Sequence, residues 1–256
     1  MTVGNTVMPI PIGKTVGGST TVNSGTAMRT PDKVLEEWQE RGITGLSKDE
    51  LESYFQDVEE VISVEEAEVK FVGEIANAVT EGANALGMNQ TRPLPRNAKG
   101  CDGQGACIFG CPTDAKQSTN VSYVPRALDN GAFLFTEFRA TQLLRNGKQV
   151  EGIIAEGIGS EGKKINMTIK ASKTIVAMGT LLTPVFLKKN GIKNRNLGAN
   201  LTVHPATNVT GWYPDREFDN SRTIPQGFSL KDLQDEGITF EGATLPFFAH
   251  GLLSQH

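Results

Sequence analysis

The stretch from Gly13 to Pro31, GKTVGGSTTVNSGTAMRTP, constrains this chain more than any other. Adjacent glycines at 17 and 18 carry no Cβ and tolerate positive φ, so the main chain there can lie close to a partner. Ser19, Thr20 and Thr26 add hydroxyls, and Asn23 adds both a donor and an acceptor. Such a run suits backbone pressed against a flat polar ligand. Spacing alone favours an ordinary glycine-rich loop, so other segments must decide between the two readings.

Downstream, the hydrophobic pattern divides the chain. Thr30-Pro31-Asp32 reads as a helix start, with a capping hydroxyl, proline in the first turn and an early acid, running to Arg41-Gly42. Ser47-Lys48-Asp49-Glu50 spells a capping box. It opens a helix whose Leu51, Tyr54, Phe55, Val58 and Val61 form one apolar stripe. A third helix is expected from about Glu66 to Leu86, closed by Gly87, then irregular chain over 89–117 and a short helix ending at Asn130-Gly131. After that the rhythm becomes strand-like: 132–136, 149–156, 164–170 and 173–177 alternate or run apolar. The turn Met178-Gly179-Thr180 leads into a helix capped by Thr183-Pro184 and ended by Asn190-Gly191. Short strand-like pieces follow His204. The fold class is therefore mixed α/β.

Several function classes are excluded. With 25 basic and 29 acidic residues, net charge −4, and no basic stripe interleaved with aromatics, nucleic acid is not an expected partner. No apolar run approaches the roughly 18 residues of a membrane span, and the first residues lack the form of a signal peptide; compartment is not readable. Gly13-Lys14-Thr15 ends like a P-loop, but Met8 stands where the first glycine belongs. Gly157-Ile158-Gly159-Ser160-Glu161-Gly162 spells G-x-G-x-x-G, yet a strand pattern rather than a helix follows, so a hairpin turn is expected.

The Gly13–Pro31 run closely resembles the flavin-contacting segment of the glucose-methanol-choline (GMC) oxidoreductases, G-x-x-x-G-G-S-[ST]-x-x-N-x-x-x-x-x-R. Further matches follow in family order: the Trp38 helix, GACIFGCPTDAKQST at 105–119, ALDNGAFLFTEFRATQLL with Ala140 at the usual Val position, TIVAMGTLLTPVFLKKNGI and LGANLTVHP. The resemblance implies an FAD-binding domain over 1–205, incomplete at its N-terminus, and the start of an antiparallel-sheet substrate domain over 206–256. It implies that Gly17, Gly18, Ser19, Asn23, Ser24 and Thr26 line the flavin and its pyrophosphate. Ala140 would bind adenine through its main chain, and Gly179 would lie by the adenosine half.

The implied activity is oxidation of a CH–OH group of an alcohol, sterol or sugar, with hydride passing to flavin N5. Nothing before Gly13 supplies the family's dinucleotide fingerprint, and its catalytic histidine lies beyond His256. His204, His250 and His256 match no catalytic motif. The chain thus reads as an interior fragment with no catalytic residue, inactive alone.

Cys101, Cys107 and Cys111 fall within eleven positions, poor material for a disulfide framework. One reading is a compact loop of reduced thiols. The other is a three-iron four-sulfur cluster, because some cytochrome-linked sugar dehydrogenases of the family carry one on a C-x5-C-x3-C run; a cytochrome would then be the electron acceptor. A non-catalytic fragment acting through protein contacts is the third functional alternative.

Overall fold

The computed structural model describes residues 10–159, 162–204 and 206–244. His250, His256 and residues 1–9, with Met8, lie outside the described residues. In chain order the elements are a 3-10 turn Gly18–Thr21, α1 Asp32–Glu40, α2 Lys48–Val61, β1 Val64–Glu66, a 3-10 turn Val69–Phe71, α3 Glu74–Ala85, β2 Thr91–Pro93, β3 Pro95–Asn97, α4 Tyr123–Asp129, β4 Arg139–Asn146, β5 Gln149–Ile158, β6 Lys164–Lys170, α5 Gly179–Lys189, β7 Phe228–Leu230 and β8 Phe240–Glu241. The chain combines helices with three sheets whose pairings are all antiparallel, ordered β1-β3, β2-β7-β8 and β4-β5-β6, which is a mixed α/β fold. The chain divides into two compact units, Met1–Ala132 with Tyr213–His256, and Phe133–Trp212.

In the first unit the expected helix over 66–86 is broken. Val64–Glu66 pairs with Pro95–Asn97 as a strand, and Gly73, at φ +85°, turns the chain into α3. A Cβ on Gly73 would lie 2.5 Å from Thr223 Cγ2, so this glycine permits a close approach that no helix would make. Around this break sits the core: Ala67, Phe71, Val72, Ala76, Ile224 and Phe228, with Ile75, Val79 and Cys101 packed on its edge. Residues about 150 positions apart along the chain therefore share one apolar cluster. The strand-like pieces after His204 include β7, which pairs with β2.

The capping box forms as spelled: Ser47 accepts from the Glu50 N–H while the Glu50 carboxylate accepts from the Ser47 N–H. The apolar stripe of α2 is not a buried one, since Tyr54 and Val58 are exposed. The helix is tied down instead by Arg29, which donates to Glu52 and Glu59 and lies 5.4 Å over the Phe55 ring. In α1, Pro31 rather than Thr30 occupies the cap, without a side-chain hydrogen bond.

The second unit is built on β4-β5-β6. The false dinucleotide fingerprint is a hairpin: Gly159 N–H donates to Lys163 and Gly162 N–H to Gly159, joining β5 to β6; Ser160 and Glu161 lie outside the described residues. The runs 132–136 and 173–177 are not strands, and no described strand pairs with them. A strand is defined by its partner's hydrogen bonds, and an apolar sequence cannot supply that partner. α5 begins at Gly179, earlier than Thr183-Pro184; Pro184 lies inside it, and the Thr183 hydroxyl accepts from the Met178 N–H.

Candidate functional site

The Gly13–Pro31 segment is held by two others, 95–99 and 107–120. Thr26 bridges Arg96 in antiparallel fashion; Ala27 N–H donates to Pro95 and Asn97 N–H to Gly25. Gln117 N–H donates to Asn97 and Lys99 N–H to Ala115, which brings in the cysteine-bearing loop. The Thr20 hydroxyl donates to Gly17 O at 2.6 Å and accepts from Thr119 N–H at 3.1 Å, 99 positions away. Two sequence motifs remote along the chain thus close on one turn.

The paired glycines have different roles. Gly17, at φ +90°, is enclosed: its Cβ would sit 2.9 Å from Asn120 N and 3.0 Å from Thr21 Cγ2. Gly18, at φ +57°, is open, with nothing within 4 Å of its Cβ position. Ser19 and Asn23 are exposed; the Ser19 hydroxyl accepts from Gly13 N–H, and Asn23 Oδ1 accepts from Gly25 N–H at 3.1 Å. Ser24 and Thr26 both donate to Gln226 Oε1, from the far end of the chain.

Beneath these residues lie two buried cations. Lys116, 2% exposed, donates from Nζ to Thr21 O (3.0 Å), Asn23 O (2.7 Å) and Cys107 O (2.7 Å). Three main-chain acceptors around one nitrogen take three protons, which an ammonium has and a neutral amine lacks. Burial, aided by Arg96, pushes Lys116 below its ordinary value, against the opposing pull of Cys107 and Cys111. Arg96, 3% exposed, donates to Gln226 O at 2.6 Å and to Cys107 Sγ at 3.2 Å. Neither cation has a carboxylate partner among the described residues. Gly25, at φ +83°, packs between Asn97, Arg96 and Lys116.

The cysteines divide by environment. Cys107 is buried, and burial pushes its thiol up despite Arg96 and Lys116. Burial also pushes Cys111 up, but the Lys116 N–H at 3.3 Å and the Thr113 hydroxyl outweigh it, and the thiol falls below its ordinary value. An alkylating agent is therefore expected to modify Cys111 well before Cys107 in the folded protein. Peptide mapping after a brief iodoacetamide pulse checks this, and equal labelling would contradict the assigned environments. Among the described residues no group of three or more His, Cys, Asp or Glu is placed to hold a metal ion.

In the second unit, Ala140 pairs with Ala155 just before a bulge whose extra residue is Thr141. Beyond it the outer edge of β4 is taken by Asn190, which accepts from Leu143 N–H at 2.7 Å. Gly179 has φ +82° and open space at its Cβ position. His204 is exposed.

Spacing did not point to Gly25, Arg96, Lys116 or Gln226. Lys116 had a signal, its place five residues after Cys111 in a matched motif. Arg96 and Gln226 had none, since their roles depend on chain segments far apart.

The family model for GMC oxidoreductase matches residues 1–206. The chain belongs to the GMC oxidoreductase family. An uncharacterised GMC-type oxidoreductase of Mycobacterium tuberculosis (strain H37Rv) is 30% identical over 247 residues, covering 95% of this chain and 38% of the relative. A long-chain-alcohol oxidase of Arabidopsis thaliana is 33% identical over 241 residues, covering 90% of this chain and 32% of the relative. A GMC-type oxidoreductase of Sinorhizobium fredii is 28% identical over 204 residues, 79% of this chain and 40% of the relative. This GMC chain thus spans roughly a third to two fifths of the length of these relatives. No described helix is long and apolar enough to cross a membrane.

Proposed function

We propose that this chain is part of an FAD-dependent oxidoreductase that oxidises a CH–OH group of an alcohol, sterol or sugar. The observation that carries the reading is the Gly17–Thr26 turn, clamped by a second family motif and open at Gly18. The residues present fit a dinucleotide: a Cβ would fill the open side of Gly18, and the two buried cations suit a diphosphate. FAD, when bound, supplies the hydride acceptor.

Gly18, Ser19, Asn23, Ser24 and Thr26 would hold its flavin and diphosphate, with Gly17 closing the turn behind them. Because Ser24 and Thr26 spend their protons on Gln226, their oxygens are left as acceptors for a ligand N–H. Ala140 and Gly179 would serve the adenosine half. Residues 1–205 are assigned to the FAD-binding domain and 206–256 to the start of a substrate domain. The likeness to a long-chain-alcohol oxidase of Arabidopsis thaliana favours a long-chain alcohol as substrate. The cytochrome-linked reading draws no support from the placement of Cys101, Cys107 and Cys111.

The full-length protein is expected to carry flavin absorption that bleaches when a long-chain alcohol is added without oxygen. Gly18→Val should lose the flavin while keeping its circular dichroism, since the new side chain meets only open space and costs roughly 1–2 kcal/mol at that φ. A colourless wild-type protein, or a Val variant with full flavin content, would overturn the assignment.

A further inference from the structure

The cationic pair under the turn is not explained by stability. Burying two charges without a carboxylate is costly, and each must be offset by its hydrogen bonds. Lys116 meets three carbonyl oxygens; Arg96 meets one carbonyl and a thiol. The described contacts bring a carboxylate to this cluster only through Gln226, whose Nε2 donates to Glu241 at 2.9 Å. The cluster therefore holds a surplus of positive charge facing a segment that carries no charge of its own.

The orientation of one peptide bears on what that charge does. The Asn23 carbonyl points at Lys116 Nζ, 2.7 Å away. A trans peptide is planar, with its N–H opposite its C=O, so the Ser24 N–H points away from the lysine. That N–H has no main-chain partner among the described residues. A cation at the carbonyl end polarises the peptide and strengthens the donor at the other end.

We propose that Lys116, with Arg96, is a positioning residue: it draws the Asn23 carbonyl inward, presents the polarised Ser24 N–H outward, and makes the turn select a doubly negative phosphate group, the diphosphate of the dinucleotide. Lys116 does not touch this group, because its three protons are already engaged. The assignment rests on the FAD reading above. It goes beyond that reading in assigning the orientation of the Ser24 N–H to Lys116 and Arg96, and in making the diphosphate rather than the flavin ring the group the turn selects.

The test uses the full-length protein, stripped of flavin and titrated with FAD and, separately, with riboflavin, which lacks phosphate. Lys116→Met is expected to raise the FAD dissociation constant at least tenfold and the riboflavin constant less than threefold, with Lys116→Arg recovering most of the FAD affinity. Should Lys116→Met fail to fold, Lys116→Gln gives the same information. It keeps N–H donors for the surrounding carbonyl oxygens but removes the charge, and should again weaken FAD selectively. Equal losses for both ligands would reduce Lys116 to a structural brace and overturn the proposal. Unchanged FAD affinity in both variants would overturn it while leaving the flavin reading intact. Wild-type protein that binds neither ligand would sink both.

Discussion

Gly152→Val is expected to unfold the β4-β5-β6 sheet. Gly152 lies in the middle of β5, flanked by Leu144 on one side and Lys170 on the other, with φ +148°. A Cβ built there would overlap the Ile169 carbonyl oxygen and crowd the Lys170 Cα, which are main chain and cannot rotate away. The register shift between Leu144 and Arg145 sits beside it, so the glycine serves a bulge that curves the sheet. Relief requires breaking ladder bonds to β6, and the cost should exceed about 4 kcal/mol, the range reserved for backbone conflict and core disruption. Hydrogen exchange over 139–170 should lose its protection. A Val variant with wild-type protection there would show that β5 and β6 do not pair in this register.

Phe71→Ala should carry the other large effect, this time in the first unit. The ring is 5% exposed and sits within the cluster of Val72, Ala76, Ile224 and Phe228. Gly103 lies flush against it, with no room for a Cβ, and the Arg222 guanidinium lies 5.8 Å from the ring centre. Its carbonyl also accepts from Ile224 N–H at 3.0 Å, so the segments on either side are fixed and cannot collapse into the gap. Truncating a buried phenylalanine costs about 3–5 kcal/mol under such conditions. Denaturant unfolding should show a loss of unfolding free energy of that size with Phe71→Ala, and almost none with Tyr54→Ala, whose side chain is exposed. Comparable shifts for both would mean that the cluster is not the core.

What the sequence disclosed, and what it hid, follows from how far each feature reaches. The Ser47–Glu50 capping box, the hairpin at Gly157–Gly162 and the end of α5 at Asn190-Gly191 are set by neighbours within a few residues, and each appears as spelled. The family followed from motif order. The expected helix over 66–86 failed because Gly73 is fitted to Thr223, a residue invisible in any local window. The strands expected over 132–136 and 173–177 find no pairing partner among the described residues. At the candidate site, the small residues of 17–26 were legible because glycine and hydroxyl chemistry show in the letters. Arg96 and Gln226 were hidden because an isolated arginine or glutamine carries no mark of burial.

The reach of Gln226 back to Ser24, 202 positions earlier, has a consequence for biosynthesis. The turn near the chain's beginning leaves the ribosome long before its last hydrogen-bond acceptor exists. Phe71, too, waits for Ile224 and Phe228. Translation must therefore pass through the whole of Phe133–Trp212 while the first unit stands unfinished, with apolar surface uncovered and open to chaperones. A nascent chain paused near residue 206, where the family match ends, would hold the whole glycine-rich turn yet lack the residue that Ser24 and Thr26 lean on.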